Sequence, residues 1–260
     1  MARPLGQHFL TDERYLEAIA GYAAPMDCPG VLEIGAGKGA LTRYLAQRAD
    51  KVLSVEIDTS LREDLEVAAG RLAPVEILWG DFLKVKEEAV TQRLGDAYAV
   101  AGNVPYYITT DIVKKLLWEY NGPETITLLM QKEAAERLTA PCRTKEYGPL
   151  AVEIALGWEA DIPLEVPPAA FMPPPHVDSA VLVLKRRKDR PEAARLAAVR
   201  RLTRVAFTLR RKQLPGILGG ADVSKEDAAR ALERLGLSPK ARPEELSPAE
   251  WLAFAEALET

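Results

Sequence analysis

The 260-residue chain carries a formal net charge of −4, and 48% of its residues are apolar. That length and composition fit one large domain, or a large and a small one, around a substantial core. No apolar run is long enough to span a bilayer, and "MARPLGQHFL" lacks the apolar centre of a signal peptide, so a cytoplasmic protein that does not engage membranes is expected.

Through the first two thirds, apolar β-type runs alternate with helical patterns. The predicted strands are VLEIG (31–35), KVLSVEID (51–58), VEILWGD (75–81), AYAVAGN (97–103) and ETITLLMQ (124–131). They are short and almost continuously apolar, as strands covered on both faces are. Helical stretches Leu41–Arg48, Leu61–Ala69 and Asp111–Trp118 fall between them. This alternation predicts right-handed crossovers and a doubly wound, Rossmann-like α/β sheet, mostly parallel. Ligands of such sheets sit beyond the C-terminal strand ends. After the Pro-rich PLEVPPAAFMPPPHVDSA comes one more strand, AVLVLK, and from about residue 190 the pattern is helical. Ser247-Pro248-Ala249-Glu250 opens the last helix with a capping box and Pro at its first position. Two domains are expected, an α/β domain over 1–187 and a small all-α domain over 188–260.

Cys28 and Cys142 make no C-x-x-C pair, and His8 and His176 complete the set of soft ligands, so neither a disulfide nor a metal site is expected. No G-x-S-x-G elbow is present to suggest an acyl-transfer serine. Charged residues, Pro and Arg are frequent and Asn is scarce, a composition of heat-adapted proteins. The chain keeps two asparagines, Asn103 and Asn121.

Four predicted strands end in polar residues or turns. The first runs into Gly35-Ala36-Gly37-Lys38-Gly39, whose glycines let a backbone approach a ligand at positive φ. The spacing is not the dinucleotide G-x-G-x-x-G, and a packing turn is the competing reading. The second strand ends at Glu56, placed to accept both hydroxyls of a ribose. The third ends at Asp81, placed to accept from an adenine amine or to cap the next helix. Glycine turn and two acids outline a nucleoside pocket, better suited to S-adenosylmethionine than to NAD. The fourth strand ends at Asn103-Val104-Pro105-Tyr106. An adenine amine is a poor nucleophile because its lone pair is delocalised into the ring. The Asn103 side-chain oxygen and the Val104 carbonyl can accept its two hydrogens and favour the pyramidal nitrogen. Pro105 removes a competing N–H and biases Val104 away from helix. Tyr106 offers a face for an extruded base, a contact worth about 1–3 kcal/mol.

"GNVPYYIT" resembles the N-[LIV]-P-[YF] motif of amino-methyltransferases that act on adenine. "GQHFL", "VLEIGAGKGALT", "MQKEAAERL", "YGPLAV", "FMPPPHVDSAVL" and "AFTLRRKQL" extend the likeness over nearly the whole chain. The chain thereby resembles the bacterial small-subunit rRNA adenine dimethyltransferases. The resemblance implies a class I methyltransferase fold, S-adenosylmethionine as cofactor, and dimethylation of N6 on two adjacent adenines in the 3′-terminal hairpin of 16S rRNA within an assembling subunit. It implies cofactor contacts at His8, Leu10, Gly35, Glu56, Asp81 and Asn103, with Gly37 in the same glycine turn. His8 stands where that family usually has Asn, Lys38 where it has Leu, Ala36 where it has Pro, and Tyr107 where it has Asn. Phe171, in a loop stiffened by three prolines, is a second candidate to clamp the target base, with a core anchor as the competing reading. His176 is not needed as a base, because the amine loses its proton readily once it is cationic.

From Lys185 to Lys212 basic residues far outnumber the acids Asp189 and Glu192. Arg186, Arg187, Arg201, Arg204, Arg210, Arg211 and Lys212 are candidate phosphate contacts, against the reading of a merely solvated face. The partner expected is 16S rRNA in the small subunit, bound by a monomer. The competing functions are methylation of 23S rRNA, as in resistance enzymes, and a non-catalytic assembly or transcription factor on the same fold.

Overall fold

The computed structural model describes residues 7–25, 28–70, 72, 75–219 and 223–259. Gly6 of the "GQHFL" motif lies outside the described residues. The strands, in chain order, are β1 (Phe9–Leu10), β2 (Val31–Ile34), β3 (Val52–Glu56), β4 (Val75–Trp79), β5 (Tyr98–Asn103), β6 (Pro123–Gln131), β7 (Trp158–Val166), β8 (Phe171–Met172) and β9 (Ser179–Arg186). The helices are α1 (Glu13–Ala23), α2 (Thr42–Leu45), α3 (Arg62–Ala69), α4 (Glu87–Leu94), α5 (Thr109–Glu119), α6 (Lys132–Leu138), α7 (Pro149–Gly157), α8 (Ala193–Ala206), α9 (Leu214–Leu218), α10 (Lys225–Arg234) and α11 (Pro248–Glu259).

Seven strands form one sheet in the order β4-β3-β2-β5-β6-β9-β7. The pairs β3–β4, β2–β3, β2–β5 and β5–β6 are parallel, and β9 runs antiparallel to β6. The chain winds outward from β2 in both directions, first to β3 and β4, then back to β5 and β6. The reversal lies between β2 and β5, which puts the end of β2 beside that of β5 and makes a crevice there. Val31, Leu32 and Ile34 of β2 and Val52, Leu53 and Val55 of β3 are almost wholly buried, as parallel strands covered on both faces require.

Packing divides the chain into two units, the first of residues up to 135 with 161–185, the second of 136–160 with 186 onward. Residues 136–160, which the sequence reading assigned to the first domain, thus pack with the C-terminal helices. In the first unit α1, α2 and the sheet enclose a core that includes Leu16, Ile19, Leu45, Val52, Phe171 and Val181. In the second, α7, α8, α10 and α11 close around Trp251, Phe254, Val199 and Leu232. The expected capping box is present at Ser247: its N–H donates to Glu250 Oε2 at 2.7 Å and its Oγ accepts from Glu250 N–H at 3.3 Å.

Candidate active site

A cavity opens in the first unit where β2 to β5 end. His8, Gly35, Gly37, Glu56, Asp81, Asn103, Val104, Pro105 and Tyr106, nine residues expected at the site, all line it. The turn after β2 is held by glycines at positive φ, Gly35 at 75° and Gly37 at 58°. A Cβ on Gly37 would come within 3.3 Å of the Phe9 ring. Its conformation therefore favours glycine, and a Cβ would also crowd the Phe9 ring.

Glu56 is buried at the end of β3. Its Oε2 accepts the Gly37 N–H and its Oε1 accepts the Asp58 N–H, each at 2.7 Å. The carboxylate thereby ties the glycine turn to the next strand end, and each oxygen keeps a lone pair for a ligand hydroxyl. Asp81 takes the capping role and also lies at the cavity. Its Oδ1 caps the turn Phe82–Lys84 by accepting the Leu83 N–H at 2.9 Å, and the side chain also lines the cavity. Both acids present acceptors to the same space, and among the described lining residues there is no Lys or Arg. That polarity suits a ligand rich in donors and positive charge, as S-adenosylmethionine is, and opposes the pyrophosphate of a dinucleotide.

The side-chain amide of Asn103 is oriented by a carbonyl. Its Nδ2 donates to His8 O at 3.0 Å, a partner that can only accept. The Oδ1 end is thereby fixed as the free acceptor. Beside it, Val104 N–H donates to Leu129 O at 3.2 Å, while the Val104 carbonyl accepts from no described residue. The following Pro105 starts the short turn Tyr106–Ile108. The Tyr106 hydroxyl lies 2.7 Å from Ser179 Oγ, and burial pushes its pKa up, so the phenol stays protonated. The His8 ring stacks on Tyr106 at 5.8 Å between centroids. His8 Nδ1 faces Pro173 O at 2.8 Å, so Nδ1 carries the proton of the neutral ring.

Leu10 and Phe171 depart from expectation. They face each other in the antiparallel pair β1–β8, are 3% and 2% exposed, and belong to the core. Phe171 is a core anchor that presents no ring face to the cavity; its aromatic character carried the sequence reading, but burial in the core claims the ring. Glu33 is a residue that the sequence reading passed over. It is buried in β2, where Thr42 and Ser54 hydroxyls donate to its Oε2, each at 2.6 Å. Burial, with a smaller contribution from nearby Glu56, pushes its pKa up to about 7 against the pull of the two hydroxyls. An acid within the apolar run VLEIG was the available signal.

On the second unit the basic candidates divide. Arg201, Arg204, Arg211 and Lys212 are exposed. Arg187 is paired with Asp189 at 3.0 Å, and Arg186 lies over the Trp158 ring at 5.5 Å. Arg210 donates to the backbone carbonyls of Thr144 and Lys145, which makes it a brace. Arg211 and Lys212 share a concave surface with Lys225, Lys240 and Arg242, cations too scattered in sequence to signal a patch.

An open α/β sheet with a glycine turn, two strand-end carboxylates and an Asn-Val-Pro-Tyr edge defines a class I methyltransferase. The family model "Ribosomal RNA adenine dimethylase" matches residues 2–260. The chain belongs to this ribosomal RNA adenine dimethylase family and is an rRNA methyltransferase with S-adenosylmethionine as its cofactor. It is 41% identical to ribosomal RNA small subunit methyltransferase A of Rubrobacter xylanophilus, over 96% of this chain and 92% of that protein. The protein of the same name in Geobacillus thermodenitrificans is 38% identical over 98% and 90%. Among solved structures, the 23S rRNA methyltransferase ErmE superposes with a TM-score of 0.74 at 31% identity, covering 97% of this chain and all of that one. A dimethyladenosine transferase from Plasmodium falciparum shares the fold, with a TM-score of 0.80 at 24% identity over 95% and 96%.

Proposed function

We propose that the protein transfers two methyl groups to N6 of each of two adjacent adenines in the 3′-terminal hairpin of small-subunit rRNA. It does so as a cytoplasmic monomer acting on assembling subunits. The observation that carries this reading is the Asn103 amide, whose NH₂ end is engaged by His8 O at 3.0 Å, leaving Oδ1 as an acceptor beside the free Val104 carbonyl. Two such acceptors take the two hydrogens of an adenine amine and localise its lone pair on nitrogen. Tyr106 stacks the extruded base. Glu56 holds the ribose of the cofactor, Asp81 its adenine amine, and Gly35, Gly37 and His8 close around the rest. S-adenosylmethionine supplies the methyl group on a sulfonium that is already a good leaving group. The chain's contribution is positioning and exclusion of water, and no side-chain base is required. The exposed cations Arg201, Arg204, Arg211 and Lys212 hold rRNA phosphates, and the region from residue 188 acts as the RNA-holding domain.

The test is incubation of unmethylated small and large subunits with enzyme and labelled cofactor, followed by mass spectrometry of the rRNA. Dimethyladenosine at two adjacent positions of the small-subunit rRNA is the expected product. Label in large-subunit rRNA alone would replace this reading with the 23S specificity, for which the likeness to ErmE speaks.

A further inference from the structure

The mouth of the cavity carries an aromatic ring that this reading leaves unused. Tyr107 is 64% exposed, lines the cavity, and makes no hydrogen bond through its hydroxyl to a described residue. It shares the turn Tyr106–Ile108 with Tyr106, whose ring is half-buried and tethered to Ser179. Consecutive Cα atoms lie about 3.8 Å apart, so the two rings start from neighbouring points, one within the cavity and one at its rim. An exposed tyrosine by itself needs no explanation. Here its place does the arguing. Ile57, 51% exposed, lines the same cavity, and Met172, 65% exposed, pairs in β8 with Phe9, another lining residue. Further exposed apolar side chains thus stand at or beside this cavity, which on the reading above takes the cofactor and one target base.

A base enters such a cavity only after leaving its stack, and its departure strips one face from the base next to it. The nucleotide beside the target therefore arrives at the mouth with an uncovered π face. Tyr107 presents an uncovered ring at that place. We propose that Tyr107 stacks the base of the nucleotide adjacent to the target adenine and holds it at the rim while the target occupies the cavity. This inference rests on the adenine-methylation reading above. With two adjacent adenines, the base parked on Tyr107 is itself a substrate, so one ring keeps the second adenine within reach of the same cavity. Recognition is by face, so a phenyl ring suffices and the identity of the parked base matters little.

The experiment is steady-state kinetics of the full-length enzyme on unmethylated small subunits, with wild type, Tyr107→Ala and Tyr107→Phe. Tyr107→Ala is expected to raise the KM for subunits about ten-fold with kcat within about two-fold, and Tyr107→Phe to match wild type. On subunits reconstituted with an abasic nucleotide beside the target adenine, wild type and Tyr107→Ala are expected to converge. An unchanged KM for Tyr107→Ala, a Phe variant as impaired as the Ala variant, or a defect that persists on the abasic substrate would each overturn the proposal. Wild-type transfer to the target adenine is the control for the underlying reading. Its absence overturns both, whereas normal transfer with an unaffected Ala variant overturns this one alone.

Discussion

The polar groups of the cavity are fixed by the protein itself, whereas many of the basic side chains of the second unit extend into solvent. Glu56 is gripped by two backbone N–H groups at 2.7 Å, Asp81 by one at 2.9 Å, and the Asn103 amide by the His8 carbonyl. Arg201, Arg204, Arg211 and Lys212 are exposed, and no ion pair ties them to a described residue. A fixed constellation discriminates between atoms, because a ligand group displaced by an ångström loses its partner. Loose cations read charge density, and their contribution falls as salt rises. Substitutions in the two regions should therefore move different observables.

The largest separation is expected from Asn103→Ala. It removes an oriented acceptor and should lower kcat for methyl transfer about 10²–10³-fold, a size typical of a lost preorganised hydrogen-bonding group. Binding of subunits at low salt should stay within about two-fold, because the proposed function assigns that to the exposed cations of the second unit. Full activity in the single-turnover assay would remove Asn103 from the chemistry. Glu33 gives the next effect, on stability. Its carboxyl titrates at about 7 in the fold against an ordinary 4.5, so the folded protein holds the proton between those values. The stabilisation is complete below the unfolded pKa and is lost as pH rises through the folded one. Glu33→Gln keeps an acceptor for Thr42 and Ser54 and cannot ionise. Wild type should lose about 2–3 kcal/mol relative to this variant between pH 5 and 8, measured by denaturant unfolding. Parallel pH profiles of the two proteins would contradict the buried, protonated carboxyl.

The same contrast governs how much could be read from the residues alone. The parallel strands were legible because burial on both faces writes a continuous apolar run, as in VLEIG and KVLSVEID. The strand ends were legible because Gly35, Glu56, Asp81 and Asn103 each break such a run with a polar or turn residue. β7 was not, since it lies at the sheet edge, mixes exposed and half-buried positions, and contains Pro163. α7 was hidden for the opposite reason: most of its residues, including Ala151, Val152, Glu153, Ile154 and Leu156, are buried, so PLAVEIALG shows no one-sided stripe. Phe171 misled because an aromatic ring beside prolines fits a base clamp and a core anchor equally well, and only packing separates them. Lys225, Lys240 and Arg242 were invisible as a group because the fold, not the sequence, gathers them.

Two smaller effects sharpen the contrast within the second unit. On the proposed role of these cations, replacing both Arg211 and Lys212 by Ala would remove two phosphate contacts. The slope of log affinity against log salt should flatten by about 1.4–1.8, at 0.7–0.9 per contact, with the melting temperature unchanged. Arg210→Ala should do the reverse, lowering stability because the Thr144 and Lys145 carbonyls lose their donor, and moving the salt slope less. Equal slopes for the Arg210 variant and the double variant would return Arg210 to the phosphate-binding set. The smallest effect is expected at Ser247. Its Oγ accepts the Glu250 N–H at a long 3.3 Å, whereas Glu250 Oε2 takes the Ser247 N–H at 2.7 Å. The shorter arm survives Ser247→Ala, because it uses the backbone N–H. The variant should therefore lose about 0.5–1 kcal/mol, at the low end for a serine cap, with both kcat and the salt slope at wild-type values. Glu250→Ala severs the shorter arm and should cost at least as much. If Ser247→Ala instead altered the salt slope, the last helix would belong to the RNA-holding surface, and the division between fixed cavity and loose cations would have to be redrawn.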